Sequence, residues 1–181
     1  MDYMSKFIAV TGHTKRIGKA IYNAFNSDTE TIGVSKSNGY DINTEEGRKQ
    51  IIVKVAHCDV FINNAHEDFG QVKMLNELFT EWKMENKLII NIGVDTVPYS
   101  NWQVVHKQYP VEKVALHAQC ELLQNDGLRK CKITNLALGY VDTEFNKDYD
   151  GPKLSYKNII DTIKWIIEQP TEIKQLILSA K

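Results

Sequence analysis

Tyr109 and Lys113 stand four residues apart in Tyr109-Pro110-Val111-Glu112-Lys113. On a helix that spacing puts a phenol and an ammonium on one face. Chemistry on an alcohol or carbonyl needs a proton carrier beside the reacting oxygen. A phenol with its ordinary pKa near 10 is too weak a base at neutral pH. A nearby ammonium favours the phenolate, so the pairing predicts a Tyr109 pKa lowered toward the useful range. The chain has eight tyrosines, and the same spacing recurs at Tyr149 and Lys153. That second copy includes Gly151-Pro152, where a four-residue step sets no common face. Tyr109 alone follows the central apolar run and opens a helical pattern, in which Pro110 is tolerated only if it falls in an early turn.

A second group of residues suits an anion. Thr11-Gly12-His13-Thr14-Lys15-Arg16-Ile17-Gly18 follows the apolar run Lys6–Val10. Gly12 allows a sharp departure from a strand and Gly18 allows close backbone approach. The helix that follows would aim its free N–H groups and its dipole at a phosphate.

The elements that must position these residues alternate along the chain. Apolar runs at 6–10, 31–35, 39–42, 59–63, 88–92, 132–136 and 173–179 read as strands. Helical periodicity covers 17–25, a segment capped at Asn43 or Thr44 and running to about 56, and then 72–83, 102–124 and 158–168. Trp82 and Trp165 fall at core spacing within it. The strands lack an exposed polar face, as expected of a parallel sheet covered on both sides. The expected fold is one doubly wound α/β domain over residues 1–181, with a mostly parallel seven-stranded sheet. The segment after Ser35 is too short for a full crossover helix, which means either a crossover trimmed after the second strand or one strand fewer than the pattern suggests.

Size and composition set outer limits. A chain of 181 residues supports one good core. Its formal charge of −1 provides no field for nucleic acid or an anionic membrane. Cys58, Cys120 and Cys131 are widely spaced among apolar neighbours and read as free thiols. The five histidines have no ligand spacing, and no metal site is expected. With no signal-like segment and no apolar run near eighteen residues, the expectation is a cytoplasmic protein.

Three segments together resemble the short-chain dehydrogenase/reductase family, over roughly residues 6–145. The glycine turn is similar to its Thr-Gly-x-x-x-Gly-x-Gly, with Arg16 in place of the middle glycine. Asn63-Asn64-Ala65-His66 resembles Asn-Asn-Ala-Gly, with His66 for glycine. Asn135 to Thr143 resembles Asn-x-x-x-Pro-Gly-x-x-x-Thr, with Leu138 for proline and Thr143 one position early. The resemblance implies a Rossmann-like fold and a nicotinamide dinucleotide. Gly12, Thr14, Arg16, Ile17 and Gly18 would embrace the pyrophosphate, in a turn that Arg16 forces into a slightly different or more open form. Asp41 and Ile42 would border adenine, and Asn64 and Ala65 the adenosine side. Ile92 and Gly93 would line the path to nicotinamide, with Gly139 and Thr143 at its carboxamide end. His66 would shape the pocket.

The nucleotide type follows from charge. An NAD site places a carboxylate after the second strand, whereas this chain has Ser35-Lys36-Ser37-Asn38. Ser35, Lys36, Lys15 and Arg16 can supply the hydroxyls and cations a 2′-phosphate wants, so NADP(H) is preferred over NAD(H). By resemblance, Tyr109 and Lys113 are catalytic, Lys113 also holds the nicotinamide ribose, and a hydroxyl should follow the central strand. Val94 cannot serve there; Thr96 or Ser100 can. The family's helix asparagine has no clean match, since Asn76 lies too near the strand. The implied activity is hydride transfer to or from a small carbonyl or alcohol by an oligomeric enzyme. The alternative is a dinucleotide-binding relative with little chemistry, acting as a sensor or structural partner. The segments 94–106 and 143–156 would shape the substrate pocket.

Overall fold

A computed structural model describes residues 6–95 and 108–181. Short, mainly aliphatic runs become buried strands: β1 (Ile8–Thr11) and β3 (Val60–Asn63) throughout, β4 (Leu88–Val94) except at its ends, and β5 (Lys132–Leu138) except at its first residue. Outside them lie β2 (Thr31–Val34) and β6 (Gln175–Leu178), each less buried. The order across the sheet is β2-β1-β3-β4-β5-β6, and every pairing is parallel. Parallel strands need crossovers, and the helices supply them: α1 (Arg16–Asn26), α2 (Glu45–Lys54), α3 (Gly70–Trp82), α4 (Gln108–Gln124) and α5 (Tyr156–Glu168).

Period-two alternation sends neighbouring strand residues to opposite layers. Ala9, Phe61, Ile89 and Ile133 pack with Ile51, Met74, Leu78, Trp82 and Leu116 under α2, α3 and α4. Ile8, Val10, Ile62, Ile90 and Leu136 pack with Ile21, Phe25, Ile159 and Ile163 under α1 and α5. Cys58, Cys120 and Cys131 are free and buried, and burial pushes their thiols up to about 11, 12 and 12. Trp82 is core, but Trp165 is 46% exposed, turned outward on α5.

The sheet has six strands among the described residues, not seven. Residues 39–42 do not extend. Gly39 adopts a left-handed φ of 95° after a 3₁₀ turn at Lys36–Asn38, and the Tyr40 N–H returns to the Ser35 carbonyl. The Asp41 carboxylate then accepts from the Asn43 N–H in a tight turn leading to the Thr44 cap of α2. Local polar bonds thus use the backbone groups a strand would need. The chain goes from β2 to α2 directly, and β2 is left at the edge.

The order reverses between β1 and β3. The crevice at their carboxyl ends is therefore the place where a doubly wound sheet receives a ligand.

Candidate active site

Two ends of strands are knitted together at this crevice. The buried Thr11 hydroxyl accepts from the N–H groups of Asn64 (2.9 Å) and Ala65 (2.8 Å), and the Asn64 side-chain amide donates to the Thr11 carbonyl (3.0 Å). Gly12 takes a left-handed φ of 69°, and a Cβ there would press on Asn64 and Ala65 at 3.1–3.2 Å. Gly18 is held tighter: its Cβ would lie 2.2 Å from the Gly12 carbonyl oxygen. The two glycines bring the start of α1 against the β3 end.

Arg16 keeps the backbone a glycine would have, with φ of 48°. A non-glycine residue accepts left-handed geometry at a cost of roughly 1–2 kcal/mol, and the close Gly12–Gly18 contact fixes the path on either side. Thr14, Lys15 and Arg16 are exposed and Ile17 is half-buried. Arg16 carries its guanidinium 5.9 Å from the Phe145 ring. Helix α1 begins with no side-chain cap and no acid in its first turn, which leaves a positive helix end suited to an anion.

The residues expected to meet a 2′-phosphate are already engaged. The Ser35 hydroxyl bonds Ser37 (2.9 Å) and Asn38 (3.2 Å). The Lys36 ammonium reaches Glu67 at 2.7 Å and Asp41 at 3.3 Å. These carboxylates raise its pKa, by hydrogen bonds first. The Asn43 N–H, and then Lys36, lowers that of Asp41. Ile42 is buried beneath α2 and α3, its side chain part of their core.

Tyr109, Glu112 and Lys113 project from the first turns of α4. Pro110 falls in the first turn, where its missing N–H costs no helix bond. Lys113 is 5% exposed. Its ammonium donates to the Ile92 carbonyl (3.0 Å) and to Gln71 Oε1 (2.7 Å). Gln71 is buried on α3 and uses its amide nitrogen on the Asn63 (2.6 Å) and Ile92 (3.1 Å) carbonyls. A buried glutamine opening a helix that faces the lysine helix was the available signal, and Asn76 instead bonds Gln119 on the surface.

Beneath them runs a polar ladder. Asn63 pairs in register with Asn91, and Asn91 with Asn135. Asn63 donates to Asn91 Oδ1 (2.9 Å), and Asn135 contacts His117 Nδ1 (2.9 Å). Gly93 is necessary against it, since its Cβ would meet Asn135 Oδ1 at 2.5 Å.

The electrostatics differ from the sequence expectation. Burial pushes Lys113 down to about 7. Tyr109 is not lowered by its lysine, which lies 5.6 Å from the ring centroid. Burial, and then Glu112, pushes the phenol up to about 12. His66 Nε2 lies 2.9 Å from Glu112 Oε2, and its ring stands edge-on to Tyr109 at 4.7 Å. Burial, and then Lys113, holds His66 down at about 4. His66 thus lies against both Glu112 and Tyr109.

Thr96 and Ser100 lie outside the described residues. Gly139 packs against Ser179, with its N–H donating to Leu178 (2.8 Å). Thr143 precedes a 3₁₀ turn at Glu144–Asn146. Tyr149 stacks on Tyr140 at 3.7 Å away from any helix, so it forms no pair with Lys153 like that of Tyr109. No metal-holding cluster of His, Cys, Asp or Glu occurs among the described residues. No helix among them is long and apolar enough to cross a membrane.

No family model and no curated protein matches the sequence. The fold matches solved structures throughout its length. One is a short-chain dehydrogenase from Burkholderia cenocepacia in complex with NADP, at 15% identity and TM-score 0.80, covering 99% of this chain and 90% of that one. A second is an alcohol dehydrogenase from the archaeon Thermococcus sibiricus complexed with 5-hydroxy-NADP, at 17% identity and TM-score 0.75, covering 96% of both chains. A third is a short-chain dehydrogenase from Leptospira borgpetersenii with bound NAD+, at 13% identity and TM-score 0.75, covering 98% of this chain and 91% of that one. The fold is thus the Rossmann-like fold that these dehydrogenases share.

Proposed function

We propose that this protein is a short-chain dehydrogenase/reductase that transfers a hydride between NADP(H) and a small carbonyl or alcohol. The observation that carries the reading is that Tyr109 and buried Lys113 lie at the carboxyl ends of the strands, where the glycine turn also lies. Lys113 is anchored there on the Ile92 carbonyl. The dinucleotides named with the matched dehydrogenases support it.

The residues fit the cofactor. The uncapped start of α1 and the Gly12–Gly18 contact leave backbone donors for a pyrophosphate. Thr14, Lys15, Arg16 and Ile17 surround them, and Asn64 with Ala65 borders the adenosine side. Asp41 and Ile42 would flank adenine, while Ile92, Gly93, Gly139 and Thr143 would follow the nicotinamide half. The chemistry a bound nicotinamide contributes is hydride donation or acceptance. Tyr109 carries the proton at its phenolic oxygen. Lys113 would orient the ribose with its remaining N–H, its other donors being fixed by Gln71 and Ile92. Thr96 or Ser100 would hold the substrate oxygen. NADP(H) is preferred through Lys15, Arg16 and Lys36, the last after exchanging its carboxylate partners for the 2′-phosphate.

Titration with NADPH and NADH, followed by nucleotide fluorescence, tests binding. Tyr109→Phe should then abolish turnover across aldehydes, ketones and alcohols, a loss of at least about a hundredfold. Its dinucleotide affinity should stay within about threefold of wild type. Absence of binding to both nucleotides defeats the proposal. Binding without turnover leaves a nucleotide-binding protein lacking chemistry, the reading that Val94 after the central strand favours.

A further inference from the structure

We infer that Glu112, buried beside His66 on the face that carries Tyr109, keeps that phenol in its protonated, proton-donating form in the unliganded site. The inference rests on the hydride-transfer reading above, in which a protonated Tyr109 is the proton donor of the reduction step.

Tyr109, Glu112 and Lys113 occupy positions i, i+3 and i+4 of α4, so one helical face presents all three. A phenol beside an ammonium alone faces net positive charge and tends to phenolate, the base that alcohol oxidation needs. Glu112 places an opposite charge on the same face, and it is only 4% exposed. Water therefore screens the carboxylate poorly, and it offsets the ammonium at the phenol. His66 Nε2 lies 2.9 Å from that carboxylate, and its ring stands edge-on to the phenol ring. Burial holds the imidazole neutral, so it adds no positive charge in return.

The titratable groups facing Tyr109 among the described residues are few. His66 approaches from the β3 end, and Glu112 and Lys113 from α4 itself. Asp68, in the loop ahead of α3, acts on both His66 and Glu112 and adds a second negative charge. Gln71 and the Ile92 carbonyl, which hold Lys113, are neutral. Among the described residues, Glu112 is the acid that acts on the phenol, and the buried lysine is itself pushed toward neutrality.

The proton and electron accounts close. In reduction, the carbonyl carbon gains a C–H bond to the hydride released by the reduced dinucleotide. The carbonyl π pair moves to oxygen, which takes the proton as the Tyr109 O–H bond breaks. The carbonyl is reduced, the nicotinamide is oxidised, and the phenolate regains a proton from water. Oxidation of the alcohol would need that phenolate at the outset.

The test is an ultraviolet difference titration of the unliganded chain at the phenolate band. Subtracting Tyr109→Phe from wild type isolates one tyrosine of the eight. At about pH 10.5 an ordinary phenol is mostly ionised. Wild-type Tyr109 should be less than about a tenth phenolate there, and Glu112→Gln should raise that fraction at least about threefold. Should circular dichroism show Glu112→Gln unfolded, Glu112→Met, which removes the charge but keeps an apolar stem, should give the same rise. A wild-type Tyr109 mostly ionised at that pH overturns the inference. So does a folded uncharged variant whose Tyr109 titrates like wild type. Failure of NADPH and NADH to bind would defeat the proposed function while leaving this titration readable, because no nucleotide is present in it.

Discussion

Lys36 is the residue at which nucleotide choice is most open to experiment. It stands in the slot after β2 where the sequence offers no acid, yet the fold brings acids to it from further along its own loop and from the loop after β3. Glu67 follows the β3 end and Asp41 precedes α2, and both reach the same ammonium. Such exposed pairs contribute little to stability, so a doubly charged 2′-phosphate can take Lys36 from them. It must still share the slot with their carboxylates. Glu67→Gln removes the nearer competitor. NADPH should then bind about three- to tenfold more tightly, with NADH changed by less than about twofold. Parallel fluorescence titrations check this, and equal gains for both nucleotides would place Lys36 away from the 2′ position. Sequence showed the cation but not its partners. Glu67 lies thirty-one positions from Lys36, and only the shortened route from β2 to α2 makes them neighbours. Gln71 and Glu112 were hidden for the same reason: their partners, Lys113 and His66, are distant in sequence.

At the scale of elements, the strands were legible because buried parallel strands are continuous apolar runs, and β1, β3, β4 and β5 appear where such runs lie. Residues 39–42 misled because Tyr40 and Ile42 mimic alternation, while Gly39 and Asp41 decide the backbone through a left-handed turn and a side-chain-to-backbone bond. The glycine turn was legible from Gly12 and Gly18 at its two ends, with Arg16 in its middle. Arg16 holds φ of 48° there, so the β1–α1 junction stores strain. Arg16→Gly should relieve roughly 1–2 kcal/mol of left-handed cost and lose about 0.5–1 kcal/mol to unfolded-chain entropy. A net stabilisation of about 0.5 kcal/mol, or ~1–2 °C in Tm, is expected by thermal unfolding. NADPH should bind more weakly to the same variant, since a cation leaves the phosphate turn. A lower Tm would mean that the Arg16–Phe145 contact outweighs the strain.

For the whole molecule, buried ionisable groups set how stability varies with pH. In the unfolded chain His66 takes up a proton near pH 6.5, but in the fold only near 4. Between those values the unfolded state binds more protons, and stability rises with pH. Lys113 continues the trend, because the unfolded lysine keeps its proton until about pH 10.4 and the folded one releases it near 7. Glu112, raised by burial, opposes the rise as pH passes upward from its unfolded pKa near 4.5. Above about pH 9 the sign reverses. Cys58, Cys120 and Cys131 remain protonated in the fold up to about 11, 12 and 12, and Tyr109 to about 12, whereas their unfolded counterparts ionise from 9 and 10. The folded state then binds more protons, and stability falls. Urea unfolding across a pH series should therefore peak at about pH 8–9, well above the sequence pI of about 6.5. Lys113→Met should flatten the rise between about pH 7 and 9 while leaving the alkaline fall intact. A wild-type maximum at or below pH 6.5, or a Lys113→Met curve that keeps the neutral-to-alkaline rise, would show that Lys113 stays charged in the fold. The ammonium would then be strong enough to favour the phenolate that carbonyl reduction does not need.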